Sequence, residues 1–330
     1  MLPARFSFSA SIFVLGLVAL GVSTLQTVAA QSYPTRPVTV VVPFPSGSGS
    51  DVIARLVFDF VSQKAGQQFV IDNRPAAGGV VGTRSVAVAP GDGYTLLFAA
   101  SGPLAINKVL MKSLPYDPEN DFAPISKVAV QPNVFVVNTR VPVKTVKEFV
   151  EYAKSQSNTL NYSSIGMGSS SHLAAAHFAV ATGLNLTHVP YKGMSQLVSD
   201  LLSGEVPITF TVFSNASVGI QAGSVRPLAV SATERLPNLP DVPTLAEAGF
   251  PGLETSAWFS VLGPRETPQP VVDFLNQAIN EALANEKIRN RFKDLGAVPD
   301  GSTPDGLKMA ISAEVAKWRK VSEQTGIKID

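Results

Sequence analysis

Pro37-Val38-Thr39-Val40-Val41-Val42 runs directly into Pro43-Phe44-Pro45-Ser46-Gly47-Ser48-Gly49-Ser50-Asp51, and the reading of this stretch decides the fold class. Its first part is a nearly continuous β-branched run, the pattern of a strand buried on both faces. The middle is a loop of small residues and hydroxyls. Behind it Val52, Ile53, Leu56, Val57, Phe60 and Val61 fall on one helical stripe. The unit is strand, turn, helix, and the chain repeats it. Phe69 to Asp72 reads as a strand, Asn73 to Gly79 (NRPAAGG) as a loop, and a helix-like stretch follows to Ala89. Pro90 to Tyr94 (PGDGY) then turns the chain into the strand Thr95 to Phe98. Strands alternating with helices predict parallel βαβ units in an open α/β sheet.

Further on, Asn133 to Val137 reads as a strand and Thr145 to Lys154 as a helix, with Thr145 as its cap and Glu148 as capping-box partner. Asn161 to Ser164 enters the loop IGMGSSSH, and His172 to Ala181 is a helix. His188 to Tyr191 reads as a strand and Ser195 to Leu202 as a helix. Near the end Val271, Leu275, Ile279 and Leu283 share one stripe, and Leu307, Ile311, Val315 and Trp318 another. Pro268, Pro270 and Pro304 mark helix starts and Gly296 a helix end. No low-complexity tether interrupts the chain, so a passage between lobes is expected inside ordered strands.

The 330 residues suit about two domains. Lys plus Arg is 26 and Asp plus Glu 25, which leaves no basic field for nucleic acid or anionic membrane. Residues 1–30 carry Arg5, an apolar run from Ile12 to Leu20, and a small-residue end Val28-Ala29-Ala30. That is the grammar of a cleaved export signal, cut between Ala30 and Gln31. The apolar run is shorter than the roughly 20 residues of a bilayer span. Without this segment the chain is neutral. It contains no cysteine, which excludes thiol nucleophiles, thiolate metal sites and disulfides.

Three loops share one chemistry: Ser46 to Ser50, Ala76 to Gly79, and Gly166 to Ser171. Each offers glycine or serine just before a helix. A helix N-terminus presents unpaired N–H groups and about half a positive charge, so such loops suit an anion held by neutral dipoles. Each is also an ordinary tight βα connection, and it is their number on a parallel sheet that favours binding. Gly47-Ser48-Gly49 begins like a dinucleotide fingerprint, but Val52 stands where the third glycine belongs and Pro43 and Pro45 occupy the turn. The histidines are His172, His177 and His188. His172 three residues after Ser169 is capping geometry, and no nucleophile elbow or metal-ligand spacing occurs. No enzymatic activity, cofactor or metal is expected.

At this point the chain resembles one family, the substrate-binding (Bug-type) receptors of tripartite tricarboxylate transporters. The resemblance runs from Tyr33-Pro34-Thr35-Arg36-Pro37 to Ile327-Lys328. It is carried by VPFPSGSGSD (42–51), NRPAAGG (73–79), PGDGYTLL (90–97) and LPYDPENDFAPIS (114–126), then by NYSSIGMGSSSHLA (161–174), HVPYKG (188–193) and LPDVPTLAEAG (239–249). It implies an α/β fold like a type II periplasmic binding protein, two lobes around a cleft. The implied division puts residues 31–129 with 231–330 in one lobe and 130–230 in the other. In that family the first two loops pinch the ligand carboxylate, here Phe44, Ser46, Gly47, Ser48, Gly49 and Ser50 with Ala77, Gly78 and Gly79. The other lobe implies Ser163, Gly168, Ser169, Ser170 and His172, with Lys192 at the rim. Ser101 points into the same cleft.

Two departures bear on the ligand. Thr211 and Val212 follow Phe210 where relatives often carry an acid-amide pair, and Ala176 stands where a glutamate is frequent. A less acidic cleft argues against an amino acid. The resemblance therefore implies a small organic carboxylate, either a di- or tricarboxylate or an aromatic acid stacked on Phe44 and Phe213. It also implies a monomer whose partner is a two-subunit membrane permease or a sensor kinase, with no role for nucleic acid.

Overall fold

In the computed structural model, residues 33–326 are described, together with Met1 and Lys328. The expected export signal and its cut before Gln31 lie outside the described residues. The chain opens with β1 (Val38–Val42), α1 (Gly49–Ala65), β2 (Phe69–Asn73), α2 (Val80–Ala87), β3 (Thr95–Ala100) and α3 (Asn107–Leu110). A long strand β4 (Phe122–Asn138) follows, then α4 (Val146–Ser155), β5 (Leu160–Ser164), α5 (Ser170–Thr182), β6 (Leu186–Pro190) and α6 (Met194–Ser203). The rest is β7 (Ile208–Val212), α7 (Phe213–Gln221), β8 (Val225–Val230), β9 (Ser256–Pro264), α8 (Gln269–Ala284), α9 (Glu286–Asp294), β10 (Val298–Pro299) and α10 (Pro304–Thr325).

Strand β4 organises everything else. Its residues from Phe122 to Pro132 pair antiparallel with β9, which pairs with β3, and β3, β1 and β2 continue in parallel. From Asn133 onward the same strand pairs with β7 on one side and β8 on the other, and β7, β5 and β6 run parallel. The change of partners falls between Pro132 and Asn133. At 3.2–3.4 Å per residue a 17-residue strand spans about 55 Å, more than a single sheet needs. Register shifts at Pro124/Ser126, Lys127/Ala129 and Phe135/Val136 curl it, as bulges do. The chain returns at Ser256, where β9 begins. Between them, Leu236 and Leu239, then Leu245 and Leu253, bury themselves against the β4–β8 side. Both partner changes lie after the expected divisions at 129/130 and 230/231.

Each half has its own core. Around β1, β3 and β9 the buried set includes Val40, Ile53, Val57, Phe58, Phe98, Phe259, Leu275 and Ile279. Helix α1 buries Ile53, Ala54, Val57, Phe58 and Val61, so its apolar stripe is turned toward Ala54 and Phe58 relative to the sequence reading. The cause is Phe58, which stacks on Phe69 at 5.5 Å and meets Phe98 edge-on. Val271, Leu275, Ile279 and Leu283 are all buried, as are Leu307, Ile311, Val315 and Trp318. Trp318 packs with Ile106, Leu110 and Leu173, so α10 touches α5 as well as the first half. Among the described residues no helix is long and apolar enough to cross a membrane.

The second core centres on four phenylalanines. Phe135 lies parallel to Phe210 at 4.5 Å and edge-on to Phe149 at 4.9 Å, with Phe178 at 5.2 Å. All four are almost wholly buried. Phe135→Ala is expected to lower unfolding free energy by about 3–5 kcal/mol, measured by urea denaturation. A loss below about 1 kcal/mol would show that the cluster is not this half's core.

Candidate functional site

A cavity opens where β4 changes sheets. It is lined from the first half by Phe44, Gly49, Ser50, Ala100, Ala257 and Phe259, and from the second by Ile165, Ser169, Ser170, Ser171, Thr211, Val212 and Asn215. Asn133, the first residue of β4 to pair with β7, sits between them. The volume is about 20 Å³, room for about one water molecule. None of the lining side chains carries a charge.

The donors come from two helix starts built alike. Ser48 caps α1 at φ −70°, ψ 160°, and Ser169 caps α5 at φ −71°, ψ 160°. Ser48 Oγ accepts from Asp51 N–H at 3.4 Å, and Ser169 Oγ accepts from His172 N–H at 3.3 Å. Each cap hydroxyl also bonds a second serine, Ser50 at 3.0 Å and Ser171 at 2.9 Å. The third helical residue then reaches back to a glycine N–H. Asp51 Oδ2 accepts from Gly47 at 2.8 Å, and His172 Nδ1 accepts from Gly168 at 3.1 Å. Both glycines are left-handed, φ 77° and 75°. What remains in each helix is the first two N–H groups, Gly49 and Ser50 in α1 and Ser170 and Ser171 in α5. Among the described residues these find no acceptor, and all four residues line the cavity. Four orphan N–H groups at a helix start are the rule, and here caps consume some of them and leave the others on residues of one cavity wall.

Asp51 adds no negative charge to the cavity. Arg55 pairs with it at 3.0 Å, and Asn73 donates to its Oδ1 at 3.0 Å. Burial alone would raise the Asp51 carboxyl, but the hydrogen bonds from Arg55, Gly47 N–H and Asn73 outweigh it and hold it below its ordinary value. It is a structural carboxylate, as its place in the first turn of α1 suggests.

A second cavity, about 370 Å³, adjoins the first and shares Ile165 with it. Pro43, Pro45, Pro75, Pro190, Met167 and Tyr191 give it apolar walls, and Ala77, Gly78, Gly79 and Lys192 complete it. Ala77, Gly78 and Gly79 are all left-handed, at φ 46°, 62° and 93°, a concave run of backbone that suits an anion. Lys192 is the single charge on its wall.

The two halves meet backbone against backbone. A Cβ on Gly78 would lie 1.5 Å from Met167 O, one on Gly102 2.4 Å from Gly168 O, and one on Gly168 2.1 Å from Asn107 Oδ1. Only glycine permits this approach.

The expected site residues thus divide. Phe44, Gly49, Ser50, Ser169, Ser170 and Thr211 line the first cavity, and Ala77, Gly78, Gly79 and Lys192 the second. Ser48 and His172 are caps behind the wall. The N–H of Gly47 and of Gly168 is already engaged by the residue four positions on. Ser46 faces outward, Ser101 Oγ turns toward Ser256 O at 3.5 Å, and Ser163 is buried in β5. Phe213 packs with Val134, Leu201 and Ala216, away from the cavity, so it offers no stacking face there. Sequence reading missed Asn133, Asn215, Gly102 and Asn107. Asn133 is detectable only as a polar residue opening an otherwise apolar strand.

Behind the α5 start, buried Tyr162 and His172 and the half-buried His188 between them form a stack, with 5.0 Å between Tyr162 and His188 and 4.1 Å between His188 and His172. His188 Nε2 bonds Ser164 Oγ at 2.6 Å. Burial, and then the nearby His188, push His172 down to about 3, while burial pushes His188 down to about 4. Both are neutral at pH 7, and His172 can accept from Gly168 only in that form.

Neutral helix starts from both halves thus line one cavity where β4 passes from one sheet to the other. The family model described as "Tripartite tricarboxylate transporter family receptor" matches residues 53–327. Protein BugT of Bordetella pertussis is 35% identical over 317 residues, 96% of this chain and 97% of that one. An R. palustris protein with adipate is 38% identical with a TM-score of 0.86, covering 90% of this chain and 99% of that one. MatC from Rhodopseudomonas palustris, with bound malate, is 33% identical with a TM-score of 0.84, covering 88% and 99%. The chain belongs to the tripartite tricarboxylate transporter receptor family, whose members are solute-binding receptors.

Both histidines have folded values below the 6.5 of the free side chain. The unfolded chain therefore takes up protons first as pH falls. Stability is expected to decline as pH falls below about 6.5, with His172 contributing up to about 1.4 kcal/mol per pH unit and the partly exposed His188 less. Urea unfolding between pH 7 and 4.5 measures this slope. His188→Phe keeps a ring in the stack and is expected to make the slope shallower without removing it, because His172 and His177 are also held below their ordinary values. A flat profile in the wild type would show that the histidines are not held neutral.

Proposed function

We propose that this chain is a periplasmic receptor that binds the carboxylate of a small organic acid and presents the closed, loaded form to the membrane subunits of a tripartite transporter. The observation that carries it is the convergence of two capped helix N-termini, α1 and α5, on one uncharged cavity. Their unengaged N–H groups favour an anion and give no partner to a cation. Relatives seen with adipate and with malate support the acid class. In this reading residues 33–132 with 256–326 form one lobe and 133–255 the other, hinged in β4 and near Ser256. The second cavity takes the body of the ligand, with Lys192 at its edge.

No carboxylate lines either cavity. An ammonium there would be desolvated without a counter-charge, which costs several kcal/mol. Calorimetry with succinate, malate, adipate and aspartate tests the proposal. At least one diacid is expected to bind, and aspartate about a hundredfold more weakly than succinate or malate. Aspartate binding as tightly as either, or no acid binding at all, overturns it.

Closure supplies a second test. Gly78→Ala is expected to weaken acid binding at least about tenfold by holding the halves apart. The unliganded protein should lose only about 1 kcal/mol of stability, the usual cost of a side chain at a left-handed position. Undiminished binding would mean that the Gly78–Met167 approach is not part of the liganded form.

A further inference from the structure

Asn133 lines the first cavity and carries a buried acceptor that the protein leaves without a partner. Its side chain is wholly buried. Asn133 Nδ2 lies 3.4 Å from Ser170 O and 3.3 Å from Thr255 O. Both are carbonyl oxygens, so the amide can face them only with its NH₂, and the opposite rotamer would set oxygen against oxygen. That fixes Oδ1 on the other side of the amide, where it has no hydrogen-bond partner. Other buried side-chain atoms share this condition, among them Gln131 Oε1, Ser163 Oγ and Ser260 Oγ. Their residues do not line a cavity; Gln131 Oε1 is covered by Gly49, whose Cβ, were there one, would lie 2.7 Å away. Among the described residues Asn133 alone combines an unpartnered buried oxygen with a place on the cavity wall.

A carboxylate satisfies the N–H groups of Gly49, Ser50, Ser170 and Ser171 and offers nothing to Asn133, because an ionised carboxylate only accepts. The missing partner is a donor held a bond or two from that carboxylate. An ammonium is a donor, but it needs a counter-charge that the wall lacks. A hydroxyl donates without a charge. We propose that Asn133 is a specificity-determining residue that accepts a hydrogen bond from a ligand hydroxyl, so that the receptor prefers a 2-hydroxy carboxylic acid over the same acid without its hydroxyl. This rests on the carboxylate reading above and narrows it.

Leaving a buried acceptor unpaired weakens the unhydroxylated ligand by about tenfold to a hundredfold. The experiment is calorimetry on the mature protein with matched pairs, succinate against malate and adipate against 2-hydroxyadipate. In the wild type one hydroxylated member is expected to bind at least about tenfold more tightly than its partner. In Asn133→Ala that ratio is expected to fall below about threefold, whatever happens to either affinity alone. A merely structural role would weaken both members together and keep the ratio. Asn133→Ser, smaller and still polar, serves if the alanine variant does not fold, and is expected to keep an intermediate ratio. If diacids bind the wild type with a ratio near one, or if the ratio survives in both variants, the assignment of Asn133 is wrong and the carboxylate reading stands. If none of the four acids binds, both fail together.

Discussion

Strand β4 belongs to two sheets, and the site exists because it does. Up to Pro132 its backbone is satisfied by β9, and from Asn133 by β7 and β8. A strand in the middle of a sheet has no freedom to leave it, because its N–H and C=O groups would lose their partners. The two sheets are therefore tied where β4 changes partners and again where the chain returns at Ser256. The cavity wall shows the consequence: it draws on the loops after β1 and β5, the ends of β3 and β7, the start of β9, and Asn133 of β4.

From that constraint the chemistry follows at each helix start. The loops Ser46 to Asp51 and Met167 to His172 differ in sequence but repeat one hydrogen-bond plan, with a serine cap, a second serine bonded to it, and a third residue returning to a left-handed glycine. Aspartate fills the returning role in one and histidine in the other. The substitution works because only an acceptor is needed, and burial keeps His172 neutral so that its ring nitrogen remains one. Fixing the caps from behind leaves the first two N–H groups of each helix oriented before any ligand arrives. Preorganised donors give affinity without an ordering cost at the moment of binding.

The α/β class, both late helical stripes and the two serine-rich loops were legible, because each follows from a local period or from turn chemistry. Thr145 and Glu148 were legible as a cap for the same reason, and Glu148 N–H does donate to Thr145 Oγ1. What could not be read was set by contacts distant in sequence. The phase of α1 depends on Phe58 finding Phe69 and Phe98. Whether a serine is a donor to the cavity or a cap behind it depends on one helical turn: Ser48 and Ser50 are two residues apart and differ in role. Phe213 looked available to a ligand, but the chain places Gly296 against it, where a Cβ would lie 2.8 Å from the Phe213 Cβ. Asn133 signals locally only that a polar residue opens an apolar strand, since its meaning comes from carbonyls 37 and 122 positions away.

The absence of charge from the first cavity also bears on how a receptor of this kind can shut and reopen. A lysine or arginine there would be stripped of water each time the halves met. Without a ligand it would then be a buried, unpaired ion, which costs several kcal/mol. Backbone N–H groups at a helix start carry a fraction of that charge and are held by the helix itself, so closing over them strands no full ion. The one cation nearby, Lys192, is exposed on the rim of the larger cavity, where water reaches it in either state. The glycine contacts complete the arrangement. Gly78 against Met167 O and Gly102 against Gly168 O are close backbone approaches, and Leu173 packed with Trp318, Ile106 and Leu110 adds apolar contact between the same halves. On the proposed reading, a carboxylate that engages both helix starts at once adds a bridge between the halves to these contacts.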